Sequence, residues 1–224
     1  MKSKDSRLVA DLLKDRHSVR KFDPTFNLDE DDLELIIKAA RFSPSSFGIL
    51  NSRIIVIKNK TFRQSLLPYF YYQTALVDCS VYLLFVVDHG DYILSESIFK
   101  ARKYILDPET LTKHEIDLSN IISSWDERLT WGEGFNPTQW SIAQTYINMT
   151  ASMIQAEQLH IDTTPHEGFN QVQLTKFLQE QGYLHPHEVV GIGLALGKVN
   201  PEQTHANNQE KIRKSLADYV LVID

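Results

Sequence analysis

Gly191-Ile192-Gly193-Leu194-Ala195-Leu196-Gly197 is the stretch whose reading decides the fold. Its glycines invite a dinucleotide-binding reading, but that fingerprint needs them after a strand, at the opening of a helix. Here they lie inside an apolar run and are followed by Lys198-Val199-Asn200-Pro201, which is turn chemistry. The stretch therefore reads as part of a strand, Glu188 to Leu196, and the doubly wound nucleotide fold is set aside. Val81 to Asp88 is the clearest buried strand, ended by His89-Gly90-Asp91, and Arg53 to Lys58 is a second strand, apolar on both faces. Tyr219 to Ile223 is a candidate last strand.

Between these runs the pattern is helical. One helix covers Asp5 to Lys14. A second opens at Asn27-Leu28-Asp29-Glu30-Asp31-Asp32, with its carboxylates crowded into the first turn and Leu33, Ile36, Ile37 and Ala40 as its apolar stripe. Others cover Thr61 to about Leu67, Pro137 to about His160, and Gln171 to Gln181, the last ended by Gly182. Asp162 to Phe169 reads as a loop. Tyr92 to Leu129 is polar and helical, broken at Asp107-Pro108. The expectation is an α+β fold in one domain, 1–224, with one mixed central β-sheet wrapped by helices and a helical excursion at about 91–136.

Composition narrows the function. The chain has 224 residues and a formal net charge of −6, which argues against general nucleic-acid binding, so any anion recognised here is small and held locally. The lone cysteine, Cys79, excludes an internal disulfide and reads as a core thiol in a reducing compartment. No apolar run approaches membrane-spanning length, and the first residues are not those of a signal peptide, so a cytoplasmic location is expected. His185-Pro186-His187 lacks a nearby carboxylate or cysteine cluster and reads as a loop, so no metal site is expected. Trp125, Trp131 and Trp140 read as core or interface anchors.

The chemistry concentrates in Arg16-His17-Ser18-Val19-Arg20, with two guanidinium groups, an imidazole and a hydroxyl at a helix end. Alternation in an extended run puts Arg16, Ser18 and Arg20 on one side. Three more stretches follow in order: Ser43-Pro44-Ser45-Ser46-Phe47-Gly48, Pro165-His166-Glu167-Gly168-Phe169 and Lys211-Ile212-Arg213. Together with Arg16 to Phe22 these four resemble the nitroreductase family of flavoproteins. There an R-x-S-x-R/K segment, an S-P-S-S loop, a P-x-E-G-F/Y loop and a K-x-R segment build one FMN site.

The resemblance implies roles for particular residues. Arg16, Lys211 and Arg213 would neutralise the FMN phosphate, with Ser18 as a hydroxyl donor and His17 in the same segment. Arg20 would lie beside the flavin N1 and O2 edge, as a catalytic cation. Pro165, Glu167 and Gly168 would pass the N5 side, with Glu167 also counted as catalytic. Pro44, Ser45 and Ser46 would reach the flavin of the other subunit, so a homodimer is implied, its C-terminal tail extending to the partner. Two departures stand out. The serine loop runs into Leu50-Asn51-Ser52 where Q-P-W or Q-P-Y is usual. Tyr72 and Ala75 replace an Asn and a Lys against the flavin pyrimidine, with Gln73 offering an amide instead. The implied activity is that of an FMN-dependent, NAD(P)H-using oxidoreductase acting by a ping-pong mechanism on nitroaromatics, quinones or related acceptors. The alternative on the same fold is a non-catalytic flavin-binding or storage protein.

Overall fold

The computed structural model describes residues 7–97, 107, 109–110, 136–202 and 211–223. Helix α1, Val9–Asp15, leads into the basic segment. Helix α2, Glu30–Phe42, starts where the carboxylate run predicts, with the Asp29 side chain accepting from Asp31 N. Strand β1, Ser52–Ile57, is followed by α3, Lys60–Leu66, and a short α4, Ala75–Asp78. Strand β2, Val81–Asp88, is buried along nearly its whole length. The long helix α5, Pro137–Gln158, begins at a proline behind the Asn136 cap, as read from the sequence. Strand β3, Asp162–His166, helix α6, Gln171–Glu180, strand β4, Glu188–Gly197, and one turn of helix α7, Leu216–Tyr219, complete the described chain. Most of the excursion expected at 91–136 lies outside the described residues, as do Trp125 and Trp131. Trp140 is buried on α5, as expected of an anchor.

The sheet runs β1-β2-β4-β3. All three ladders are antiparallel, and among the described residues the mixed character expected of the sheet is confined to one isolated parallel bridge, Ser18 to Thr163. Helices cover both faces. Tyr82, Leu84 and Val86 of β2 enter one core with Phe22, Phe70, Leu174 and Leu178, while Val81, Leu83 and Phe85 enter the other with Leu33, Ile36, Met149 and Ala156. A register shift pairs Phe85 with Ile192 but Val86 with Val190, so Gly191 is the extra residue of a bulge. Past the bulge the parity of β4 reverses: Val190 faces the first core, and Ile192, Leu194 and Leu196 face the second.

Two sequence expectations are corrected. Asp162 to Phe169 is not wholly loop, because its first five residues form β3. Pro165 concealed this strand, yet β3 is an edge, and alternation puts the missing proline donor on the same outward side as the Thr163 carbonyl. That carbonyl accepts from Val19 N at 3.3 Å, and Thr164 Oγ1 donates to Val19 O. The basic segment is thereby laced onto the sheet edge. The closing run Tyr219 to Ile223 pairs with no strand among the described residues of its own chain: Leu221, Val222 and Ile223 stay exposed.

One buried charge sits in the first core region. Arg63 on α3 is 2% exposed, and its guanidinium donates to the carbonyls of Ile57, Lys58, Val77, Cys79 and Ser80 at 2.7–3.3 Å. It clamps the end of β1 to the end of α4. Beside it Cys79 is a core thiol, pushed up to about 12 by burial.

Candidate functional site

Two of the four sequence motifs meet at the β3 edge, and a third joins the basic segment at the end of α1. The basic segment leaves α1 and turns along β3, with Val19 buried, Ser18 half-buried and Arg20 exposed, as alternation predicts. His17 is half-buried beside them. Lys211 Nζ donates to Leu13 O and Lys14 O, at 2.7 and 2.6 Å, which anchors the tail motif on the last carbonyls of α1. Arg16, Lys211 and Arg213 are close enough to oppose one another's charge. The Arg16 guanidinium is lowered from its ordinary value by burial first, then by Arg213, with Glu157 working the other way. Glu157, half-buried on α5, is itself raised by burial and by Asp162, and its contact with Arg7 is a loose 3.9 Å. Sequence reading missed Glu157.

Glu157 and Asp15 act on these cations from nearby, yet neither bonds the inner nitrogen of Arg16. Arg16 Nη1 is buried and has no hydrogen-bond partner. A buried, partnerless guanidinium nitrogen beside two further cations is costly unless an anion completes it, so these residues fit a phosphate group.

Beyond β3 the chain turns through Glu167 and Gly168. Gln73 Nε2 donates to Gly168 O at 2.6 Å, and a Cβ on Gly168 would lie 2.9 Å from that nitrogen. Asn170 N donates to Tyr69 O at 2.8 Å. Tyr146 Oη of α5 donates to Glu167 Oε1, a partner that sequence reading also missed. Tyr71 and Tyr72, both exposed, take left-handed conformations at φ 49° and 58°, a strained pair next to Gln73. Ala75 is buried, so no side chain at that position reaches out. Lys21 fills the same corner from elsewhere, its Nζ 3.3 Å from Thr74 Oγ1.

Beneath the turn lies a buried pair. His166 Nδ1 is 3.2 Å from Tyr82 Oη, and Gly193, paired with His166 across the ladder, leaves room for it: a Cβ there would fall 1.9 Å from that hydroxyl. Burial, helped by Arg20, lowers His166 to about 4, below the roughly 6.5 of a free imidazole. The unfolded chain then binds the extra proton between those values, so the stability from neutral His166 is complete above pH 6.5 and drains away as pH falls to 4. The expected loss is about 3 kcal/mol. Urea titrations at pH 7 and pH 4 should show it, and His166→Gln should remove most of the slope. A variant as acid-sensitive as the wild type would assign the loss to other groups.

The serine motif lies apart from these three. Asn148 Nδ2 of α5 donates to Ser43 Oγ and Ala40 O, Gln144 Oε1 accepts from Ser46 N, and Pro44 and Ser45 border clefts on either side. The departure at Leu50-Asn51-Ser52 has a local role: Asn51 is buried, and its Nδ2 donates to Ser141 Oγ at 2.6 Å. Among the described residues no cluster of His, Cys, Asp and Glu is arranged to hold a metal, and no helix is long and apolar enough to cross a membrane. His187 stacks on Tyr92 at 3.7 Å, as part of a loop.

A family model described as the nitroreductase family matches residues 13–198, spanning the sheet, the basic segment and the Glu167 turn. The chain belongs to the nitroreductase family. A relative from Staphylococcus epidermidis named "Putative NAD(P)H nitroreductase" is 28% identical over 202 residues, covering 86% of this chain and 87% of its own. Two solved structures share the nitroreductase fold. A nitroreductase-like protein from Streptococcus mutans has a TM-score of 0.74 at 21% identity and covers 96% of this chain and 98% of its own. The NADPH:FMN oxidoreductase of Vibrio harveyi complexed with NAD+ has a TM-score of 0.62 at 15% identity, covering 96% of this chain and 76% of its own.

Proposed function

We propose that this nitroreductase-family chain is an FMN-dependent oxidoreductase that takes electrons from NAD(P)H and passes them, in a ping-pong scheme, to a nitroaromatic, quinone or related acceptor. The observation that carries this reading is the buried, partnerless Arg16 Nη1 beside Lys211 and Arg213. Held by these residues, FMN would supply the redox chemistry, as acceptor of hydride from NAD(P)H and donor of electrons to the second substrate.

The chain's own groups bind and orient. Arg16, Lys211 and Arg213 neutralise the phosphate, with Ser18 as a hydroxyl donor and His17 alongside. Arg20 brings a cation to the place where the family resemblance puts the N1 and O2 edge, which would favour negative charge there. Lys21, held against Thr74, brings a second cation to that corner despite the alanine at 75. Pro165, Glu167 and Gly168 would pass the flavin N5 side that the family resemblance assigns them, with Tyr72 and Gln73 beside them. A reducing, cytoplasmic setting agrees with one buried thiol and a net charge of −6.

A homodimer with two shared sites is part of the proposal, and α5 supports it. At roughly 100° per residue, Thr145, Met149, Ser152 and Ala156 point into the core, and Ile147, Ala151 and Ile154 form the opposite, outward face. One flank of that apolar face holds the serine loop through Gln144 and Asn148, and the other holds Glu167 through Tyr146. A two-fold axis through the face exchanges its flanks, bringing the partner's serine loop to this chain's Glu167 side. The bare edge of β1 and the exposed run Val220 to Ile223 are likewise suited to pairing between copies.

Rapid mixing of the FMN-loaded protein with NADH or NADPH tests the reading. The flavin band should bleach and return on adding a quinone, and Arg20→Ala should slow bleaching roughly a hundredfold. A flavin that neither nucleotide bleaches would mark a flavin-holding protein instead.

A further inference from the structure

The Glu167-Gly168 turn is held from two sides by residues of separate elements. Gln73, just before α4, holds the Gly168 carbonyl at 2.6 Å, and Tyr146, on the outer flank of α5, holds the Glu167 carboxylate. Within the turn, Phe169 N donates to Glu167 O at 2.8 Å, and Phe169 packs into the core against Phe70 at 5.2 Å. Backbone, carbonyl and carboxylate are thus each restrained, in a loop whose glutamate and glycine are themselves exposed.

The Tyr146–Glu167 bond has a direction. Burial, the hydrogen bond and the neighbouring carboxylate together push the Tyr146 phenol up to about 12, so the proton stays on the tyrosine at any working pH. Tyr146 donates and Glu167 accepts. A carboxylate held this way is a fixed anion aimed by a rigid helix, in contrast to a solvated side chain that samples many rotamers.

We propose that Tyr146 is a positioning residue that fixes the Glu167 carboxylate as a preorganised anion facing the nicotinamide donor, with Gln73 fixing the adjoining backbone. This rests on the reading of the site given above. When a dihydronicotinamide gives up hydride from C4, the two electrons leave with the hydrogen and the ring is left as a cationic pyridinium. An anion already in place stabilises that developing charge without having to reorient. Arg20, near His166 on the other side of the turn, is the matching cation on the accepting side. The second acceptor gains negative charge as it takes the hydride, so the carboxylate assists reduction of the enzyme and does not assist its reoxidation.

Tyr146→Phe removes the hydroxyl and keeps the ring. In FMN-free protein, amide hydrogen exchange across 165–169 should accelerate about tenfold, while melting temperature and exchange elsewhere stay as in the wild type. Glu167→Ala should give the same acceleration, and Glu167→Gln, which still accepts from the phenol, should not; these two variants carry the test if Tyr146→Phe proves unstable. In FMN-loaded protein, Tyr146→Phe should slow bleaching by NADH about tenfold and should not slow reoxidation by a quinone. Tyr146→Phe with Glu167→Gln should be no slower than Glu167→Gln alone, because both remove one coupled interaction. Unchanged exchange in Tyr146→Phe and Glu167→Ala, or additive slowing in the double variant, overturns the proposal. A wild-type flavin that NADH fails to bleach would overturn the function read from the site, and the exchange experiment would still decide whether the loop is clamped.

Discussion

Arg16→Ala is expected to raise the FMN dissociation constant about a thousandfold while leaving riboflavin binding nearly unchanged. The two ligands differ in the phosphate alone, and Arg16 is the cation whose Nη1 is buried without a partner. Lys211 is already engaged with the carbonyls closing α1, and Arg213 is exposed, one of its nitrogens turned back on Ile212 O. Neither can replace a buried fork of donors. In FMN-free protein the sign reverses. There burial costs Arg16 more than its attraction to Glu157 returns, and Arg213 adds to that cost, so Arg16→Met should raise the melting temperature of the empty chain while removing the increase that FMN gives. Titrations of both flavins and paired melting curves check the two halves. Equal loss of affinity for FMN and riboflavin would move Arg16 out of the phosphate site.

Arg63→Met is expected to cost about 3–5 kcal/mol of folding stability, among the largest effects of any single change here. Five carbonyls from β1, its exit and the end of α4 converge on one guanidinium, and no carboxylate accompanies it. Burial disfavours the charged guanidinium and leaves its Nε without a partner, yet five carbonyls still outweigh that cost as long as all five are held. Methionine fills much of the volume but leaves those buried acceptors without donors. Lysine should recover little, since three donors on a flexible stem do not span a planar fork. Urea unfolding of the FMN-free protein measures the effect, and a loss under 1 kcal/mol would mean that water reaches the carbonyls. The same staple holds the end of α4, a four-residue helix that begins two residues after Gln73, so partial loosening should appear first as faster exchange around Gly168.

Chemistry carried by near neighbours was legible in the chain. The carboxylates before α2, the proline opening α5, the glycine after α6 and the unbroken apolar run of β2 each state their element within one or two turns, because caps, dipoles and side-chain periodicity are local. The glycines of β4 were legible as strand residues and not as a nucleotide loop, since the residues after them open no helix. The spaced motifs around Arg16, Ser45, Glu167 and Arg213 pointed to one family and one class of ligand, and the family match confirms that family.

What the sequence left open was pairing. By itself it determined the helix starts, the buried strands and the family, and through that resemblance it pointed to cations, serines and a Glu-Gly turn as parts of one site; only the tertiary structure decided which of them share a corner within one chain. Pro165 hid β3 because a proline's fitness for a strand depends on whether its nitrogen faces a neighbour, and that is settled by sheet order. Gly193 gave no sign that Tyr82 would need its missing side chain to reach His166. Tyr146 read as one more residue on a long helix, yet it meets Glu167, and Thr164 meets a carbonyl 145 residues earlier in the chain. Such contacts join residues with no shared periodicity or local motif. They form because folding lays a particular edge and a particular helix flank side by side, where the nearest unpaired donor and acceptor satisfy each other.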